Sequence, residues 1–391
     1  MVCGRTAEEG EMMVSEQIDQ EVRRHLALIG RPPTARDIAD ALNATGNLVS
    51  DSVVLAVQDS ITRDSMGIGA LQPLLNMDGI TDILVNGPDH VYVDRGMGLE
   101  LTPIRFGDDE AVRQLGVRLA ASVGRRLDDG SPYVDARLLG GIRFHAVLGG
   151  IAHPGTCLSL RIPTNRFVSM DEWEKSGGVD PQASQILRRL IETKRSFLIS
   201  GGTGSGKTTL LGAMLSLVPV SERIVIVEDS QELAPHHPHV VSLESRPANG
   251  EGAGLVTMTD LVRQGLRMRP DRLVVGEVRG GELRDLLQAL NTGHEGGCGT
   301  IHANSVADLP ARLEALGALG GLSPEATQAQ VAAAIKVLVH VNRRGPSREV
   351  SEIGVVTRDE SDRVRTKVAW RRCGDRTQTG EGMPQLLEVL S

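Results

Sequence analysis

The sequence predicts an α/β fold: a parallel-sheet domain at residues 176–345, a smaller α/β domain at 66–162 before it, and a helical N-terminal extension over 1–65. Three observations carry this. After about residue 176 the short apolar runs FLIS, RIVIVED, VVSLES, RLVVGEV and CGTIHA alternate with helix-length segments, as buried parallel strands joined by helical crossovers do. Before that, β-rich runs are punctuated by glycine turns. The chain has 391 residues, 40% of them apolar, enough for two or three separate cores.

In SEQIDQEVRRHLALIG, the residues Ile18, Val22, Leu26 and Ile29 fall on one helical face, and Gly30, Pro32 and Pro33 end it. TARDIADALNA predicts a second helix with Thr34 as its cap. Together they predict a small docking bundle without chemistry. ITDILVNG, HVYVDR and LELTPIRF are strand-like, separated by Gly87-Pro88-Asp89 and Gly96-Met97-Gly98. The helix DDEAVRQLGVRLAASVG follows, then the strands VDARLL, GIRFHAVL and TCLSLRI with Gly140-Gly141 turning between the first two. Residues 163–175 predict a linker, PQASQILRRLIETK a helix, and 346–391 a charged tail with a strand-like EVSEIGVVT and a ragged end.

Composition narrows the function classes. The net charge of −8 and 2% aromatics argue against broad nucleic-acid binding, which uses basic surface and stacking platforms. Cys3, Cys157, Cys298 and Cys373 form no CxxC pair, which points to a reducing cytosol rather than a disulfide or zinc framework. The N-terminal stretch lacks the basic region and apolar core of a signal peptide. No apolar run approaches the ~20 residues that span a bilayer, so any membrane role is expected from the cytoplasmic side.

The chemistry centres on SFLISGGTGSGKTTLLGAM. Gly201, Gly202, Thr203, Gly204, Ser205 and Gly206 lead into Lys207, Thr208 and Thr209 in the order strand, glycine-rich turn, helix. Such glycines let backbone N–H groups converge on phosphate oxygens, and the helix N-terminus adds its positive dipole end. Lys207 would reach the β- and γ-phosphates of a nucleoside triphosphate, and the Thr208 hydroxyl would bind Mg2+. RIVIVED ends in Glu228 and Asp229, RLVVGEV delivers Glu277, and CGTIHANS delivers His302, with His294 shortly before it. Ligands of parallel sheets sit beyond the carboxyl ends of the strands, so these groups are expected on the same edge as the loop, orienting water or sensing the γ-phosphate.

GGTGSGKTTLL, IVIVEDSQEL, LRMRPDRLVVGEVRGGE and NTGHEGGCGTIHANS resemble, in order, the Walker A, acidic, Walker B and histidine boxes of the type II/type IV secretion ATPase superfamily. PHVVSLESRPANGEGAGLVTMTDLVRQ and ITDILVNGPDHVYVDRGMGLE resemble its tight-adherence (Flp) pilus-assembly branch, so the likeness runs from about Leu71 to about Val341. The resemblance implies a RecA-like P-loop ATPase domain in a homo-hexameric ring that uses ATP and Mg2+. It also implies a seat at the inner face of the plasma membrane, pushing on a polytopic inner-membrane platform protein, with no nucleic acid as partner. By the same resemblance Glu277 is the Walker B glutamate, Glu228 the water-orienting base, His302 and His294 the histidine-box residues, and Arg143 and Arg161 phosphate contacts.

Two departures stand out. Cys298 occupies a position where the family usually has a hydroxyl or apolar residue, and no tetracysteine zinc module interrupts the motor domain. The latter favours the tight-adherence or conjugation-type branches. The rival readings are a conjugation-type secretion ATPase, a pilus-retraction motor, a DNA translocase or helicase, and a nucleotide-gated scaffold.

Overall fold

The computed structural model describes residues 68–96, 98–163, 167–248, 252–345, 347–374 and 376–391. The two helices expected within 1–65 lie outside the described residues. The chain divides into two compact units, Met1–Thr164 and Asn165–Ser391.

The described part of the first unit is an antiparallel sheet with helices on one side. Its strands are β1 (Asp82–Asn86), β2 (His90–Asp94), β3 (Leu99–Leu101), β4 (Tyr133–Arg137), β5 (Arg143–Val147) and β6 (Cys157–Arg161), in the order β3-β2-β1-β6-β5-β4. Alternate residues Ile83, Val85, Val91, Val93, Phe144, Ala146, Leu158 and Leu160 are buried, the period-two pattern of a sheet covered on one face. The short α1 (Gln72–Leu75) and the longer α2 (Asp109–Ser122) contribute Leu74, Val112, Leu115 and Leu119 to that core. Asp108 caps α2 by accepting from Ala111 N, worth about 1 kcal/mol. The neighbouring Asp109 reaches back to β6, accepting from Thr156 N at 2.6 Å and Thr156 Oγ1 at 3.0 Å.

The second unit is built on a mixed sheet that, among the described residues, has the order β15 (Arg376–Thr379), β14 (Val364–Cys373), β13 (Ser347–Arg358), β12, β7, β11, β10, β8, β9. Its parallel strands are β7 (Phe197–Ser200), β8 (Ile224–Glu228), β9 (Val240–Glu244), β10 (Arg272–Val278), β11 (Cys298–Ile301) and β12 (Val337–Arg344). Helices cover both faces. On one face α3 (Met170–Lys175), α4 (Pro181–Glu192), α5 (Lys207–Leu215) and α10 (Met383–Leu390) pack against Phe197, Ile199, Ile226 and Val339. On the other, α6 (Met258–Leu266), α7 (Glu282–Asn291), α8 (Leu309–Leu319) and α9 (Pro324–Ala334) pack against Leu198, Val225, Val275 and Leu338. Burial on both faces is why β7 and β8 read as near-continuous apolar runs.

Two segments differ from the sequence expectation. Residues 346–391 form β13 (Ser347–Arg358), β14 (Val364–Cys373), β15 (Arg376–Thr379) and α10, antiparallel additions to the same sheet. Trp370 and Leu386 are completely buried there, so this is core rather than a ragged tail. The end of the 163–175 linker forms α3, whose Met170 and Trp173 are buried in the second unit. Its capping box, with Ser169 and Glu172 exchanging hydrogen bonds, starts the helix.

Candidate active site

β7 ends at Ser200 and the chain turns through Gly201–Gly206 into α5. Gly206, the residue that opens α5, sits at φ +97, a left-handed conformation that a side chain would resist. No side chain caps this helix, so its first N–H groups remain directed into the turn. Gly202, Thr203 and Gly204 are exposed, whereas Ser205 and Lys207 are buried. The Lys207 ammonium lies inside the turn and donates to Gly201 O at 3.0 Å and Gly202 O at 2.8 Å. Burial holds its pKa below the ordinary lysine value, against the opposing charge of Glu277. Thr208 and Thr209 begin the helix, both half-buried.

The neighbouring strands deliver their carboxylates to the same edge, because β7, β11, β10 and β8 run parallel. Glu277 on β10 meets an arginine and a histidine. Arg279 Nη2 donates to its Oε2 at 2.6 Å, and His302 Nε2, just past β11, lies 2.7 Å from its Oε1. Burial pushes the Glu277 carboxyl up, but the Arg279 bond and the charges of Arg279, His302 and Lys207 outweigh it, leaving the pKa below the usual range. Burial, with the charge of Lys207, lowers the pKa of His302 against the opposing charge of Glu277. Arg279 also lies 3.7 Å from Asp229, tying the ends of β8 and β10 together.

Glu228 is set the other way. It is 4% exposed, its Oε1 accepts from Glu232 N at 3.1 Å and Leu233 N at 3.0 Å, and its Oε2 is buried without a partner. Burial raises its pKa to about 7 in spite of the two N–H donors. Room for it comes from the neighbouring strand, since a β-carbon on Gly276 would lie 2.9 Å from Glu228 Oε1. The glycine that interrupts the apolar run of β10 is thus the complement of the carboxylate on β8. Two carboxylates with oppositely shifted pKa values on one strand edge are the arrangement that separates an acid or base from a permanently charged partner.

Not every expected residue joins this group. His294 precedes β11 rather than following it, and its Nδ1 lies 3.3 Å from Ala289 O near the end of α7. It therefore stands at the opposite edge of the sheet from the glycine turn, which corrects its placement beside His302 in this unit. The direction of the strand, legible in the sequence, could have separated the two. Arg143 and Arg161 belong to the first unit, where they are direct cross-strand partners on β5 and β6, with Arg137 opposite Arg143 on β4. Arg161 Nε donates to Asp82 at 3.1 Å. Sequence reasoning missed Arg279, and although it expected a strand at EVSEIGVVT within β13, it missed the pairing with β12 and Arg348, which donates to Gly204 O at 3.1 Å. It also missed His340 on β12, buried and 2.9 Å from Ser200 Oγ at the end of β7. Cys298 is fully buried with its thiol pushed up to about 12, an inert filler.

These residues fit a Mg2+-bound nucleoside triphosphate. The lysine inside the turn, the uncapped start of α5 and the buried, unpartnered Ser205 Oγ are donors of the kind phosphate oxygens take. Among the described residues, no group of three or more His, Cys, Asp or Glu side chains could cage a metal. Mg2+ is ordinarily held by one or two protein groups together with phosphates and water, and Thr208, in the first turn of α5, would supply one. Bound there, the ion would neutralise charge on the phosphates.

Comparison with known proteins agrees with this geometry. Residues 64–390 match the family described as Type II/IV secretion system protein. A protein of Mycobacterium tuberculosis (strain ATCC 25618 / H37Rv), provisionally named a conjugal transfer protein, is 52% identical over 330 residues, covering 83% of this chain and 94% of that one. The conjugal transfer protein TrbB of Rhizobium radiobacter is 31% identical over 295 residues, covering 74% and 88%. The solved structure of the pilus retraction motor PilT with bound ADP superposes with a TM-score of 0.51 at 17% identity, covering 82% of this chain and 87% of that one, a likeness of fold alone.

Proposed function

The chain belongs to the type II/IV secretion system protein family, and from that premise we propose that it is an Mg2+-dependent ATPase that converts hydrolysis into mechanical work for a secretion or pilus system. The observation that carries this reading is the lodging of the Lys207 ammonium inside the Gly201–Gly206 turn, with Glu277 and His302 paired on the adjoining strand ends. Lys207 binds the β- and γ-phosphates, and Ser205 and the head of α5 complete the cradle. Glu228, poised near neutrality by burial, orients the attacking water and accepts its proton. Glu277, kept ionised by Arg279, organises the metal side, and His302 follows the charge on the transferred phosphate.

Arg143 and Arg161 are proposed as phosphate contacts. They are direct cross-strand partners on β5 and β6, so one bound phosphate could reach both, with Arg161 also held by Asp82 at 3.1 Å. The working form is proposed as a homo-hexameric ring on the cytoplasmic face of the inner membrane, acting on a polytopic platform protein. No helix among the described residues is long and apolar enough to cross a membrane, so the membrane would be reached through that partner.

The names of the relatives favour a conjugation-type or type IV secretion system as the machine served. The tight-adherence pilus reading rests on the stretches at 80–100 and 238–264. Identifying the membrane protein that co-purifies with the chain decides between them. The ATPase reading is tested by turnover and by titration with a fluorescent ATP analogue. Lys207→Ala is expected to lose both binding and turnover, whereas Glu277→Gln keeps much of the binding and loses turnover. Equal loss of binding in the two variants would overturn these roles. Light scattering beside a dilution series of rates tests the ring: a monomer with concentration-independent turnover would sink it.

A further inference from the structure

The glycine turn is held from outside by two segments far apart in the chain. From the β12–β13 hairpin, Arg348 Nε donates to Gly204 O at 3.1 Å. At Gly206 a β-carbon would lie 2.8 Å from Arg348 Cδ and 3.2 Å from Trp173 Cη2. Gly206 is therefore packed against the Arg348 stem and the Trp173 indole. Trp173 belongs to α3, which begins four residues after the last undescribed residue between the two units. The turn after α3 is bound to the same hairpin region, with Val350 N donating to Gly178 O at 2.8 Å and Arg372 Nη1 to Gly177 O at 2.7 Å.

We infer that Arg348 is a positioning residue for the phosphate-binding turn, and that through the Arg348–Gly206–Trp173 packing the state of that turn is passed to α3. The inference rests on the nucleotide reading above. Gly204 and Gly206 are the positions at which the turn reverses, with φ of +69 and +97. Glycine there gives a backbone with little intrinsic preference, so something outside must select the conformation that aims the N–H groups. Arg348 does so by holding the Gly204 carbonyl outward with a charge-assisted bond. When phosphate oxygens draw the N–H groups in, any adjustment at Gly206 presses on the indole, because interiors are close-packed and transmit displacement. The helix that receives the push is the first of the second unit.

The chain has two tryptophans, Trp173 and Trp370, so its own emission supplies a probe at this contact. The full chain is compared as wild type, Arg348→Ala, Arg348→Gln and Trp173→Phe, by steady-state ATP turnover and by indole emission on titration with ATP. Loss of the charge-assisted bond in Arg348→Ala is expected to raise KM for ATP about tenfold while kcat falls less. Arg348→Gln should recover most of that, because its amide nitrogen takes the place of Arg Nε and still donates to Gly204 O. ATP should change wild-type emission, Trp173→Phe should remove the change, and Arg348→Ala should weaken it even at saturating ATP.

A wild-type KM in Arg348→Ala would overturn the inference. So would an Arg348→Gln variant as impaired as the alanine, which would mean that the guanidinium charge acts on the nucleotide itself. An emission change that survives Trp173→Phe would overturn transmission to α3. If the wild-type chain neither binds nor hydrolyses ATP, the nucleotide reading fails; if it does both and Arg348→Ala matches it, the positioning role alone fails.

Discussion

The two edges of the parallel sheet in the second unit both carry buried charge, and they handle it in opposite ways. At the edge where the strands begin, Arg272 is 1% exposed and donates from Nε to Glu222 Oε2 at 2.7 Å and from Nη2 to Ile191 O at 2.8 Å. Lys194 adds a second cation 3.0 Å from Glu222. Although burial pushes the Glu222 carboxyl up, Arg272 and Lys194 hold it below the usual carboxylate range. At the edge where the strands end, Lys207 has loop carbonyls for partners and Glu228 keeps one oxygen buried and unmatched. The Arg272–Glu222 pair is structural, since removing one member strands the other, even though Arg272 Nη1 is itself buried without a partner. Charge left partly unsatisfied is the form that a ligand can complete.

The largest effect expected from this contrast is on rate. Lys207→Ala should cut turnover by about 10²-fold or more, with a melting temperature no lower than wild type because a desolvated ammonium has been removed. Arg272→Ala should do the reverse, losing about 3–5 kcal/mol of stability while the folded fraction keeps its turnover. Chemical denaturation and ATPase rates on both variants check the crossing. A destabilised Lys207→Ala with normal turnover would erase the distinction between the edges.

Next in size is Gly276→Ala, whose methyl group would crowd the Glu228 carboxylate. Turnover should fall about tenfold or more, with the affinity for a fluorescent ATP analogue kept. Normal turnover would show that Glu228 does not need its present position.

The pH dependence comes third. With its pKa raised to about 7, Glu228 carries a proton in the fold over a range where the unfolded chain has lost it. Stability from this group is therefore full at low pH and falls as pH rises through about 7, while the base needed for turnover appears over the same interval. Turnover should rise with pH through about 7, and Glu228→Gln should gain stability over wild type above that pH, read from melting curves. A flat profile together with an unchanged difference in melting temperature would contradict the shift. The smallest effect expected is that of His294→Ala, less than about twofold in turnover; a collapse would bring the other edge of the sheet into the chemistry.

The turn from Gly201 to Lys207 was legible because strand, glycines and helix are contiguous. Glu228, Glu277 and His302 were legible because parallel strands end together. His294 and His302 lie on opposite sides of β11, so closeness in sequence does not bring them to one edge. Gly276 looked like an interruption until its neighbour strand was known, as pairing between β8 and β10 cannot be read from either run alone. A strand was expected at EVSEIGVVT, within β13, but its pairing with β12 and the strands after it stayed hidden for a related reason. The ends of β12 and β14, Arg343-Arg344 and Arg371-Arg372, are charged, and neither run by itself shows which neighbour it pairs with. Arg348 became meaningful only when the fold set it against Gly204.

Residues 346–390 share a sheet and a core with the phosphate-binding strand, and this fixes the order of events during synthesis. β7 is flanked by β11 and β12, so Phe197 waits for Val337, and Arg189 Nε donates to Leu390 O at 3.2 Å. On the ribosome the first unit can close its antiparallel sheet as soon as residue 161 has emerged. The second stays open along one side of β7 and lacks Trp370 and Leu386 from its core until almost its whole length has been made. A nascent chain therefore has all the strands of the first sheet while the second unit still lacks the strand beside β7 and part of its core.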